Sequence, residues 1–226
     1  MKVYKQRAIT AFATLTIIFA GAPLRAETTE QPTLEETIVR GSYLQSNEAN
    51  ALKTPTPILD VPQSLSIVTS EQILRRGFTS VSDIIEYLPG VSMSQGEGHR
   101  DAVVFRGVRS TADFFIDGVR DDVQYYRPLY NLEQLEVLRG PNALLFGRGG
   151  TGGILNRVTK KAELGSNFSQ ITGYADSFGA GGLQGDVNVG LTDSVAFRLN
   201  AMAEGLDNHR DHFDGERIGC LLYTSD

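Results

Sequence analysis

The chain has 226 residues, with 21 basic and 27 acidic side chains, three histidines and one cysteine. That length suits one or two ordinary domains. The acidic balance argues against a nucleic-acid partner, which would need a clustered positive surface.

Lys2, Lys5 and Arg7 precede an uncharged run from Ala8 to Ala22, and no acid appears before Glu27. A basic head, a short apolar stretch and a small residue at Ala26 make a secretory signal peptide over residues 1–26. A cut after Ala22 would place Pro23 next to the scissile bond, so cleavage is expected after Ala26. The alternative is a buried N-terminal core helix. The run is shorter than the ~20 residues of a membrane-spanning helix. Removing residues 1–26 takes away Lys2, Lys5, Arg7 and Arg25, leaving 17 basic against 27 acidic residues, a formal charge of −10. No later apolar stretch approaches helical membrane-spanning length, so a membrane-embedded chain would have to cross as a β-barrel.

Residues 27–59 form a polar leader rich in Thr, Glu, Gln and Pro, too poor in apolar side chains to fold alone. One island, Leu34 to Arg40, has the β-branched centre of a strand. From about residue 60 to Lys161 short strands and helices alternate. Ser64–Thr69 reads as a strand. Ser70 caps a helix from Glu71 to Arg76, which Gly77 stops. Ser80 to Asp83 matches a capping box ahead of a second helix that ends at Pro89-Gly90. Val103–Arg106, Phe114–Ile116, Leu135–Arg139 and Ile154–Thr159 read as further strands. This mixture predicts an α+β domain of about 100 residues around one core.

After Lys161, Leu183, Gly185, Val187, Val189 and Leu191 alternate with Gln184, Asp186, Asn188 and Gly190. Val195, Phe197, Leu199, Ala201 and Ala203 alternate likewise with Ala196, Arg198, Asn200, Met202 and Glu204, and Thr192–Ser194 turns between the two runs. Strands of about ten residues with one apolar face are the pattern of a transmembrane barrel. A soluble sandwich shows the same alternation. Phe168–Asp176 is a less regular preceding strand, so about three strands are expected over residues 162–219.

Gly147, Gly149 and Gly152 spell the dinucleotide fingerprint, but that motif must be followed by a helix. Ile154 to Thr159 favours a strand, and the glycines read better as a close-packed connection. His209, Asp211, His212 and Asp214 contain metal-ligating types without the alternation of a calcium loop; they read as a solvated loop, and no metal site is expected. No nucleophile–base constellation argues for an enzyme.

The string from Leu132 to Lys160, LEQLEVLRGPNALLFGRGGTGGILNRVTK, resembles the end of the plug domain in TonB-dependent receptors. Asp60–Ile73, Ile84–Met93 and Val103–Asp122 fit the same family in order, together covering about 100 residues. The VPQS opening and the GRGG loop resemble the siderophore branch. Glu36-Thr37-Ile38-Val39-Arg40-Gly41 then resembles a TonB box. The closing CLLYTSD, residues 220–226, resembles the translation of a sequencing-library adapter, which would remove Cys220 from the natural chain.

The resemblance implies a plug seated in a barrel of about 22 strands, of which only the first would be present. It implies outer-membrane import of ferric siderophores in a Gram-negative bacterium. The drive would come from TonB and its ExbB–ExbD motor, with no chemical step and no cofactor, since iron is cargo. Arg100, Tyr125, Tyr126 and Arg127 would face the ligand at the plug apex. Arg106 and Arg139 would pair with glutamates on the barrel wall or, where the wall is missing, be solvated or borrow plug acids such as Glu136. Strand one would rise from the periplasm, leaving Ser177–Gly182 outside, Thr192–Ser194 periplasmic and an extracellular loop from Asp207. The short leader predicts no N-terminal signalling domain. The alternatives are a receptor for haem, cobalamin or carbohydrate, a plug-like periplasmic adaptor, and a soluble nucleotide-binding enzyme.

Overall fold

Thr69 and Ser80 are the two residues that start the helices. In the computed structural model, which describes residues 48–50, 56–96, 100–140, 146, 152–207 and 214–225, each closes a reciprocal capping box. The Thr69 side chain accepts from Gln72 and the Ser80 side chain from Asp83. Helix α1 is Ser70–Arg76 and ends at Gly77, whose φ of 66° is the left-handed conformation glycine adopts without strain. The cap is thus Thr69, one residue before the expected Ser70. Helix α2 is Val81–Ile85, shorter than its apolar pattern suggested. Its apolar Val81, Ile84 and Ile85 are all buried.

The strands are β1 (Glu48–Ala49), β2 (Thr56–Pro57), β3 (Ser64–Thr69), β4 (Val91–Gly96), β5 (Arg100–Phe105), β6 (Val108–Ser110), β7 (Phe114–Ile116), β8 (Val119–Arg120), β9 (Leu132–Arg139) and β10 (Gly153–Thr159), followed by β11 (Asn167–Ala175), β12 (Gly181–Gly190), β13 (Ala196–Asp207) and β14 (Asp214–Ser225). A five-stranded sheet runs in the order β3-β9-β10-β7-β8, parallel only between β10 and β7. A three-stranded meander β4-β5-β6 stands beside it. One face of the large sheet, through Phe114, Leu135, Val137 and Leu155, meets Ile73, Ile84 and Ile85 of the helices and Val103 and Phe105 of the meander. The opposite face gathers Phe115, Leu138, Phe146 and Ile154. Each fully buried Phe or Leu contributes about 1.5–3 kcal/mol, which makes these two clusters the mainstay of the α+β domain.

Beyond Lys161 the chain forms one antiparallel sheet, β11-β12-β13-β14. Four strands are present where about three were expected. Asp214–Gly219, read as loop, and Cys220–Ser225, read as an adapter string, together pair with β13 along its length. An open edge recruits whatever strand-forming segment follows it, so the pairing is silent on where that string came from.

The side chains sort as the alternation requires. Asp186, Asn188, Ala196, Arg198, Asn200 and Met202 are buried against the first domain, while Leu183, Val187, Val189, Leu191 and Leu199 are exposed. A water-soluble sandwich would bury the apolar set instead. No helix among the described residues is long and apolar enough to cross a membrane.

Candidate functional site

The β7–β8 hairpin turns on Asp117 and Gly118, at φ 49° and 77°. Asp-Gly suits a tight hairpin turn because both central positions need positive φ. Asp117 also accepts from the Thr159 backbone at 2.9 Å and hydroxyl at 2.6 Å, which fixes the hairpin against the end of β10. The hairpin releases the chain into the loop 121–131, where three of the four expected apex residues lie.

That loop is organised around one arginine. Arg127 is buried at 1% exposure. Its Nε donates to the Asp121 carboxylate at 3.2 Å, and its terminal nitrogens donate to the carbonyls of Tyr125 at 3.3 Å, Asp121 at 3.0 Å and Val123 at 2.8 Å. The guanidinium carbon lies 3.7 Å from the Phe114 ring centre and 4.6 Å from that of Tyr125. Arg157 donates to Asp121 and, at 2.6 Å, to the Tyr125 hydroxyl, which donates in turn to Asp121 at 2.8 Å. Asp121 therefore collects three donors. Burial lowers the Arg127 pKa, opposed by Asp121, and raises the Tyr125 pKa.

Arg127, expected to face the ligand, has its donors spent on folding its own loop, and its guanidinium is enclosed. Tyr125 has a hydroxyl committed to the same cluster, though its ring remains half-buried. Tyr126 is also half-buried and carries the Arg217 guanidinium of β14 over its ring, 5.3 Å from the centre. Arg100, half-buried, donates to Gln124 across the mouth of the loop. Beneath them Asp101 is buried and accepts from the Arg127 backbone N–H at 2.8 Å; desolvation raises its pKa, with that hydrogen bond opposing. Arg100, Tyr125 and Tyr126 thus form one surface, with Arg127 and Asp101 as its foundation.

A second cluster lies on the opposite face of the large sheet. Glu136 stands directly across from Asn156 in the β9–β10 register, and both are fully buried. The Asn156 amide donates to one Glu136 oxygen at 2.9 Å, and the Gln134 amide to the other at 2.6 Å. The leader closes over them. The Asn50 backbone N–H donates to Glu136 at 2.6 Å, the Gln134 amide donates to the Glu48 carbonyl at 3.2 Å, and Ala49 has no exposed surface.

The third cluster joins the two parts of the chain. Arg198 on β13 grips Asp186 on β12 at two points, both 2.9 Å, and donates to the Lys161 carbonyl at 2.9 Å. Such a forked pair is among the stronger charge-assisted contacts. Lys160 adds a 2.9 Å bridge to Asp186, and Glu163 and Glu133 lie 3.3 and 3.9 Å from Arg198. The Asn188 amide donates to the carbonyls of Glu163 and Ser166 at 2.9 and 2.7 Å.

At this junction an arginine of β13 meets acids around the domain exit. Arg139 does not reach Glu136. It donates to Ser64 and Ser66 at 3.3 and 2.9 Å, and burial lowers its pKa. The cause is geometric, because Glu136 points to the face already closed by amides and the leader. Arg106 is exposed and sits at φ 50° in the β5–β6 turn. The wall glutamate Glu204 instead takes Arg217 at 2.5 Å and the Tyr174 hydroxyl.

Sequence reasoning named neither Asp186, Arg198 nor Asn188 as contacts, although their alternation with apolar residues marked them as inward. Arg217 was hidden in a segment read as loop, and the amide and leader partners of Glu136 were not foreseen. Glu36, Thr37, Ile38, Val39 and Arg40 lie outside the described residues, as do His209, Asp211 and His212. Among the described residues no cluster of ligating side chains could hold a metal. The nucleotide reading fails at Gly153, where a strand begins instead of a helix. A Cβ on Gly152 would meet the Phe105 Cβ at 2.6 Å, and one on Gly153 the Leu138 carbonyl at 2.5 Å, so these glycines serve close packing.

A buried polar seam thus lies between the α+β domain and a four-stranded sheet whose apolar side faces outward. Residues 57–154 match the family model described as TonB-dependent Receptor Plug Domain. The chain belongs to the TonB-dependent receptors, which are receptors and not enzymes.

It is 30% identical over 173 residues to the catecholate siderophore receptor Fiu of Escherichia coli K12, covering 74% of this chain and 23% of that protein. It is 32% identical over 204 residues to the ferrioxamine B receptor of Salmonella typhimurium LT2, covering 85% of this chain and 28% of that protein. The crystal structure of the siderophore receptor PiuA from Acinetobacter baumannii superposes with a TM-score of 0.70 at 25% identity, covering 80% of this chain and 26% of that one. The open form of Fiu superposes with a TM-score of 0.65 at 30% identity, covering 74% and 25%. The chain thus spans about a quarter of the length of the relatives it matches.

Proposed function

We propose that this chain is the plug and first wall strands of an outer-membrane transporter that takes up ferric siderophores in a Gram-negative bacterium. The observation that carries the membrane half is the inverted sheet, polar where it meets the plug and apolar where it would meet lipid. Support for the cargo comes from the relatives, whose names specify catecholate siderophores and ferrioxamine B.

In this reading Arg100, Tyr125 and Tyr126 present cationic and aromatic groups to an anionic or aromatic ferric chelate above the plug. Glu36 to Arg40 are the TonB box, which adds as a strand to the periplasmic partner TonB, itself driven by the ExbB–ExbD motor. The plug then moves or remodels, and no bond of the cargo is broken by the receptor. Iron enters as cargo within the chelate.

Replacing Ile38 with proline in the full-length receptor tests the reading. Proline removes a backbone donor from the added strand. Uptake of a ferric siderophore should be lost while binding to whole cells persists. Uptake that continues unchanged would refute the TonB-box assignment.

A further inference from the structure

Among the described residues, three donors converge on the buried Glu136 carboxylate, and one of them belongs to the leader. The Gln134 and Asn156 amides come from β9 and β10 themselves, but the Asn50 N–H comes from a segment 86 residues away in sequence. Gln134 strengthens the junction by donating to Glu48 as well, so both flanks of the buried Ala49 are tied to the same pair of side chains. The two-residue pairing of β1 with β2, Glu48 to Pro57 and Ala49 to Thr56, adds only a short ladder.

We propose that Glu136 is the catch that holds the leader on the plug, and that leaving this carboxylate is the first step when the leader is drawn away. The proposal rests on the reading above that the leader is where TonB pulls. The chemistry explains why the position is a carboxylate. The two carboxyl oxygens accept from all three donors, whereas a glutamine would turn an N–H₂ against at least one of them. Withdrawal of Asn50 strips a hydrogen bond from a fully buried group, and that penalty opposes release. The catch is also tied into the body of the plug. Asn156, which holds the other oxygen, accepts from the Gly118 N–H at 3.0 Å in the turn that leads to the apex loop.

The test uses the full-length receptor with Ala49→Cys as its one reactive thiol, probed with a maleimide in the absence of ligand and of TonB. The buried thiol at position 49 should label slowly. Adding Glu136→Gln should speed its labelling at least tenfold. A matched receptor with Ala102→Cys, a fully buried position on β5, should label at the same rate with and without Glu136→Gln. A change of less than twofold at position 49 would overturn the proposal. So would an equal acceleration at position 102, because the carboxylate would then hold the whole plug and not the leader. The readout needs neither chelate nor partner, so it stands apart from failure of the transport reading, which uptake by the Ile38→Pro receptor reports.

Discussion

Replacing Arg127 with methionine separates a residue that builds the apex from one that meets the ligand. Methionine keeps much of the side-chain stem and removes the guanidinium. Lost with it are the carboxylate contact at 3.2 Å, three carbonyl partners at 2.8–3.3 Å and the stacking on Phe114 at 3.7 Å. Carbonyls left without a buried partner cost about 1 kcal/mol each at the low end. A desolvated cation over a ring adds about 2 kcal/mol.

Against this runs the relief of no longer burying a charge, the effect that lowers the Arg127 pKa. Asp121 also keeps Arg157 and Tyr125 as donors. The net expectation is about 3 kcal/mol, a large share of the 5–15 kcal/mol that typically holds a domain together. The assay is urea unfolding of residues 27–161 followed by far-ultraviolet circular dichroism. With a slope of about 1.5 kcal/mol per molar urea, the midpoint should fall by about 2 M. A loss below about 1 kcal/mol, accompanied by a large drop in ligand affinity in the full receptor, would refute the assignment of Arg127 to the foundation of the loop.

Alanine at both Arg100 and Tyr126 should do the opposite, lowering ferric-siderophore affinity at least about tenfold, roughly 1.4 kcal/mol, with the urea midpoint of residues 27–161 nearly unchanged; unaltered affinity in an equilibrium titration would remove this patch from the site. Asp101 has a raised pKa through burial, so the folded state holds its proton more tightly than the unfolded chain, and stability should fall as pH rises from the ordinary aspartate range through the raised value. Asp101→Asn should flatten that segment of a stability-against-pH profile, and an unchanged slope would contradict it. Residues 27–219 should be poorly soluble, because Ile171 and Ile218 lie 80% and 84% exposed on an open-edged sheet. Residues 27–161 should be soluble, and a soluble monomer of the longer chain on size-exclusion chromatography would refute the lipid-facing assignment.

What could be read from the sequence was whatever local chemistry decides. The Ser80 capping box, the Gly77 stop and the period-two runs of β12 and β13 each specify their geometry within a few residues. Of the strands that went unread, β1, β2, β6 and β8 have only two or three residues, and these and β4 take their conformation from neighbours, as does β14 from the open edge of β13. The candidate site was legible only as a neighbourhood. Arg127 and Arg100 look alike in sequence, and what divides them is that the chain folds back so that three carbonyls and Asp121 surround one and not the other. Glu136 was visible as an acid in a strand, but nothing near it announces that residues 48–50 will lie across it. Contacts of long sequence separation are where one-dimensional reading ends.

The grip of Arg198 and Asp186 on the exit of the plug also bears on modularity. A recombinant exchange of plugs between related receptors would naturally be spliced at Lys161, where the first domain ends. Such a splice leaves Arg198, Asp186 and Asn188 behind while replacing Glu133 and Lys160, so a hybrid inherits two halves of a charge network drawn from different parents. The inheritable unit is therefore longer than the folding domain and runs through β13 to at least Asn200. Chimeras cut there should assemble where chimeras cut at the domain boundary fail, and lineages that trade plugs should be found to trade the first hairpin of the wall with them.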